Sequence, residues 1–170
     1  MVSQEVADKM LAVIPHMLNQ EMRVSESGNV SGNVPGNVAV IARFLEEVIN
    51  QGRLEQADEL VAVDFVELDP LPGQQQGREG LKEIIAMMRA AFPDIHWVVD
   101  ETVASGDKVV TRFTWIGTHR GTFLGIPATG RSVNVKGVVM DRLVEGKMKD
   151  SRILMDNLTM MQQLGVIPKA

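Results

Sequence analysis

Asp156 is the residue whose surroundings in the sequence point most directly to chemistry. It follows Ile153-Leu154-Met155, so an ionisable group closes an apolar run. On an alternating strand, Arg152, Leu154 and Asp156 share one face. If that face lines an apolar cavity, desolvation raises the carboxyl pKa towards neutrality. A carboxyl titrating there can take a proton from a carbon beside a carbonyl and return it, as enolisation and aldol closure require. The alternative is a carboxylate that caps the following helix or pairs with an arginine. Arg142 comes late in the preceding strand. Reaching across a hairpin, it could hold an enolate or neutralise Asp156; otherwise it is a solvated arginine at a hairpin end. His119 could hydrogen-bond a substrate carbonyl or order the glycine-rich segment beside it. Trp115 could stack on a ligand or fill the core. Asn50, at a helix end, could be a ligand group or a cap. Catalysis is therefore expected at Asp156, and substrate binding at Arg142, His119, Trp115, Arg152 and Asn50.

Other chemistries lack their residues. His16, His96 and His119 show no metal-ligand spacing, so no metal is expected. No phosphate loop, dinucleotide fingerprint or nucleophile elbow follows a strand, so no cofactor is expected. With no cysteine, neither disulfides nor thiol chemistry is available.

These residues need strands to hold them. Lys108 to His119 is dense in Val and Thr and Ser132 to Val144 in Val, and Val109, Thr111, Phe113 and Trp115 fall on one face. Gly117 to Gly130 joins the two runs as a shaped connection with four glycines and a proline. Asp94 to Ala104 is a strand before the Ser105-Gly106-Asp107 turn, and Lys147 to Asn157 follows Glu145-Gly146. Upstream, apolar periodicity predicts helices over 4–23, 39–50, 54–62 and 80–91. A short strand is expected over Val63 to Leu68, and a helical turn over Leu158 to Leu164. Gly28-Asn29-Val30, Gly32-Asn33-Val34 and Gly36-Asn37-Val38 repeat at period four and read as a linker over 25–38. Residues 1–38 are thus expected as an N-terminal helix plus linker, and 39–170 as an α+β domain with a curved antiparallel sheet.

Composition narrows the class. The chain has 170 residues, 45% hydrophobic and 23% charged, which suits one soluble domain. A net charge of −5 and the lack of a basic stripe argue against nucleic acid. No apolar run approaches the roughly 18 residues of a membrane span. Glu5 and Asp8 stand where a secretory signal would be basic, so a cytoplasmic location is expected. With 11 methionines and no tyrosine, the interior is either ordinary core or a deformable wall around an apolar ligand.

From Gly117 to Gly130 the pattern Gly-Thr-His-x-Gly-x-Phe-x-Gly-x-Pro-x-Thr-Gly resembles the signature of the SnoaL-like polyketide cyclases, within the nuclear transport factor 2-like superfamily. Asn50-Gln51-Gly52, Gly77-Arg78-Glu79-Gly80, Ala91-Phe92-Pro93-Asp94, Arg142, Asp156 and Gln163-Leu164-Gly165 continue it in order. The resemblance implies a cone of sheet and helices around an internal pocket, a homodimer, and Asp156 as the acid/base. It also implies a cofactor-independent lyase or isomerase acting on a small, polyketide-like carbonyl compound. Leu68 and Arg152 replace a histidine and a tryptophan of the pattern, and both changes alter the pocket lining. The competing reading is a non-catalytic protein of the same fold that binds a small apolar molecule or serves as a dimeric scaffold. A limonene-type epoxide hydrolase would need a second carboxylate on the face of Arg142. That face offers Met140 and Val144, while Asp141 points the other way.

Overall fold

A computed structural model describes residues 33–168. The helix expected over 4–23, and the repeat as far as Gly32, lie outside the described residues. Helix α1 (Val34–Arg43) opens inside the repeat, before the expected start at Ala39. Asn33 caps it by accepting the Gly36 N–H at 3.2 Å, and Pro35 sits in the first turn, where a missing N–H costs nothing. The linker motif thus ends as a helix start. The helix runs on through Phe44–Asn50 with a wider turn, in which the Gln51 N–H reaches the Glu46 carbonyl at 2.9 Å. Phe44, Leu45, Val48 and Ile49 are all buried there.

The chain continues through a tight turn (Leu54–Gln56), α2 (Ala57–Leu60), β1 (Val61–Glu67) and α3 (Gly77–Ala91). Then come β2 (His96–Ser105), β3 (Lys108–Thr118), β4 (Ser132–Val144), β5 (Lys147–Met155) and α4 (Asn157–Leu164). The second helix expected to reach Ala62 stops at Leu60, because buried Val61 pairs with Met148 and starts a strand.

The sheet order is β1-β5-β4-β3-β2. The α+β class holds, but the sheet is mixed. β2 to β5 are antiparallel, whereas β1 joins the edge parallel to β5. Alternation decides which face is covered. On β4, Val133, Val135, Gly137, Val139, Asp141 and Leu143 point inward, and the residues between them point out. On β3, Val109, Thr111, Phe113 and Trp115 point inward. The glycine-rich connection folds onto the C-terminal end of α3, where the Gly121 N–H donates to the Ala91 carbonyl at 3.0 Å. A Cβ at Gly121 would come within 2.4 Å of the Ala90 carbonyl oxygen, so only glycine allows that approach. No helix among the described residues is long and apolar enough to cross a membrane.

Candidate active site

Between the helices and the inner face of β4, β5 and β1 lies a cavity of about 180 Å³. Phe44, Leu45 and Ile49 line it from the wide helical turn, and Ile84, Ile85 and Met88 from α3. Met88, Met148 and Met155 all belong to its wall, where flexible thioethers can fit ligands of irregular shape. Trp97 stacks on Phe113 at a centroid distance of 3.9 Å, and its indole N–H has no protein partner. Asp69, Leu71 and Gln74, from the loop between β1 and α3, also border the space.

Arg89 and Asn157 line the cavity too, and three further polar side chains are buried in its wall. Asp141 on β4 is the Cα partner of Ser151 on β5, and Ser151 is the partner of Glu67 on β1. All three are buried and line the cavity. Desolvation pushes the Asp141 carboxyl up to about 7, the charges of Glu67 and Asp150 push it further, and the Ser151 hydroxyl pulls the other way. Asp141 Oδ1 has no hydrogen-bond partner in the protein. Burial also raises Glu67, against the Asp69 N–H that donates to its Oε1 at 3.2 Å. Gln76 fixes the Glu67 backbone from both sides, accepting its N–H at 3.1 Å and donating to its carbonyl at 3.2 Å.

None of the six residues singled out in the sequence lines this cavity. Asp156 is exposed and caps α4, accepting the Thr159 N–H at 2.9 Å. That N–H and the Thr159 hydroxyl hold its carboxyl below the usual range, opposite to the expected rise. The shared face of Arg152 and Leu154 is the outer one; Ser151, Ile153 and Met155 are the β5 residues that face the cavity. Arg152 pairs with Asp69 at 3.2 Å. Of the two readings of Arg142, a contact with Asp156 is ruled out by register. Arg142 opposes Asp150 and binds it through Nε at 2.7 Å, whereas the Asp156 backbone binds Lys136. His119 is buried beside the connection, with Nδ1 3.1 Å from the Thr129 hydroxyl and its ring stacked on Phe92. Burial lowers its pKa, and its contact with Thr129 orders the connection. Trp115 is core, edge-on to Phe92 at 5.1 Å. Asn50 clamps β2 to the helix, accepting the Trp97 N–H at 2.7 Å and donating to the Trp97 carbonyl at 3.1 Å.

Asp141 was within reach of sequence reasoning. It stands in register with Val133, Val135 and Val139, so a carboxylate occupies the core face of a strand.

The family model of the SnoaL-like polyketide cyclases matches residues 39–164, and the chain belongs to that family. It is 27% identical to the aklanonic acid methyl ester cyclase DnrD of Streptomyces peucetius over 128 residues, covering 74% of this chain and 88% of that protein. It is 27% identical to the nogalonic acid methyl ester cyclase of Streptomyces nogalater over 118 residues, covering 68% and 88%. Among solved structures, TsrD from Streptomyces laurentii superposes with a TM-score of 0.72 at 28% identity, covering 78% of this chain and 97% of that one. IdmH from Streptomyces antibioticus does so at 0.66 and 34%, covering 76% and 98%.

Proposed function

We propose that the protein closes a ring in a small, uncharged polyketide-type ester by acid/base proton transfer, without a cofactor, and that Asp141 exchanges the proton. The observation that carries this reading is a carboxyl, 2% exposed, at the wall of an apolar cavity with one oxygen unpartnered. A carboxyl poised near neutrality can both accept a proton from carbon and donate one to oxygen. The methyl esters for which the relatives are named give the substrate class. The cavity also suits an ester better than a free acid, because Glu67 and Asp141 would repel a second carboxylate.

The protein acts as a homodimer in this reading. The outer sheet face leaves Val138, Met140 and Leu154 exposed at 41%, 44% and 69%, and Val138 and Leu154 are direct cross-strand partners. Adjacent exposed apolar side chains of this kind mark an association surface.

Aklanonic acid methyl ester is the first probe. Intramolecular aldol closure conserves mass, so turnover appears in liquid chromatography as a product of equal mass and shifted retention. Wild-type turnover that disappears in Asp141→Asn is expected. Binding of the ester without any product would instead favour the non-catalytic ligand-binding reading.

A further inference from the structure

The cavity holds a second buried carboxyl that a single acid/base residue leaves without a role. Glu67 is 8% exposed and lines the same wall as Asp141. Strand pairing puts Glu67, Ser151 and Asp141 in one row across β1, β5 and β4. Neighbouring strands lie about 4.8 Å apart, so the two acids sit two strand spacings from each other, with a hydroxyl between them. The Glu67 main chain is held on both sides by Gln76. A position fixed in this way, with an acid where an apolar residue would pack, points to a use for the acid.

Resting on the assignment of Asp141 above, we propose that Glu67 and Asp141 form a coupled pair that holds one proton, with Glu67 as the base and Asp141 as the acid of one turnover. The Glu67 carboxylate takes the proton from the carbon next to a carbonyl. That carbon forms the new C–C bond while the π bond of the acceptor carbonyl breaks. The resulting alkoxide takes its proton from the Asp141 carboxyl. The pair then holds its proton on Glu67, and transfer through the Ser151 hydroxyl returns it to Asp141. Nothing is oxidised or reduced.

The surroundings support one proton on the pair. Asp150 on β5 raises Asp141 although Arg142 pairs with it, and Asp69 raises Glu67 while its partner Arg152 pulls Glu67 the other way. Arg89 of α3, which lines the cavity, donates to the Ile49 and Asn50 carbonyls at 2.7 and 3.0 Å. Ionising one of two buried carboxyls opposes ionising the other.

The test is a carboxyl titration of ¹³C-labelled protein from about pH 4 to about pH 9, which needs no substrate. In the wild type the Glu67 carbon is expected to shift in two steps, the second coinciding with the titration of Asp141. In Asp141→Asn that second step should vanish, and in Glu67→Gln the Asp141 midpoint should fall by about one pH unit. Single-step curves in the wild type, or midpoints indifferent to removal of the partner's charge, would overturn the pairing even if Asp141→Asn proves inactive. The wild-type curve decides the matter should a variant fold poorly. With aklanonic acid methyl ester as probe, Glu67→Gln should lose at least about 100-fold in kcat with little change in KM. Wild-type kcat in Glu67→Gln would remove Glu67 from the reaction and leave Asp141 standing.

Discussion

Asp141 and Ser151 face each other across β4 and β5 as Cα partners, both buried and both lining the cavity. The pairing gives a desolvated carboxyl one hydroxyl neighbour, and burial together with the charges of Glu67 and Asp150 raises its pKa to about 7.

This arrangement makes stability depend on pH. The folded Asp141 carboxyl keeps its proton to about pH 7, whereas the unfolded chain releases it near the ordinary value of 3.8. The folded state therefore binds more protons between those limits, and stability falls as pH rises through the window. The full effect is roughly 4 kcal/mol, complete above the folded pKa and absent below the unfolded one. Glu67 acts in the same direction. Urea denaturation at pH 5 and pH 8 should show the wild type weaker at the higher pH, and Asp141→Asn much less so. Equal wild-type midpoints at the two pH values would contradict the buried ionisable carboxyl.

Gly137 packs against Phe113 behind Trp97, which lines the cavity. A Cβ on Gly137 would lie 2.4 Å from Phe113 Cζ and 2.8 Å from the Leu154 carbonyl oxygen. Phe113 carries the stacked Trp97, so a displaced ring would disturb the wall. Gly137→Ala should destabilise the protein by about 1–3 kcal/mol in chemical denaturation, with weaker ester binding. An unchanged midpoint would mean that the strand yields without cost.

Asp156 should behave as a helix cap. Asparagine caps as well as aspartate does, so Asp156→Asn should melt close to the wild type, while Asp156→Ala should melt lower. Equal melting of both variants and the wild type would show that the cap contributes nothing.

In the proposed homodimer, the exposed pair Leu154 and Val138 should hold the two copies together. Leu154→Glu places a charge at the centre of that surface, and light scattering should report a monomer that remains folded by circular dichroism. A dimer that survives the substitution would move the interface to another face.

The sequence made the fold legible because strand alternation and turn residues are local. Ser132 to Val144 reads as a strand and is one, and Val109, Thr111, Phe113 and Trp115 share the buried face as their spacing predicts. What local pattern lacks is the choice of face around the cavity. Arg152, Leu154 and Asp156 do alternate, but β5 turns its other face inward, and Asp156 has left the strand to cap α4. Asp141 was seen as opposite to Arg142 while the face of Arg142 was taken as functional; that face is outside. Glu67 shares a face with Phe65 in the short strand expected over Val63 to Leu68, but that strand alone does not say which face is covered. The burial of Glu67 follows from β1 joining β5 in parallel at the sheet edge, a long-range pairing that spans the whole domain. The start of α1 at Val34 was hidden by a glycine–asparagine repeat that looks like a linker until Asn33 is recognised as a cap with Pro35 behind it.

The most direct test of the central claim compares kcat for aklanonic acid methyl ester in Asp141→Asn and Asp156→Asn, each confirmed as folded. The geometry predicts a loss of at least about 100-fold for Asp141→Asn and near wild-type turnover for Asp156→Asn. The reverse order, with Asp156→Asn inactive and Asp141→Asn active, would return the acid/base role to the strand end and contradict the account.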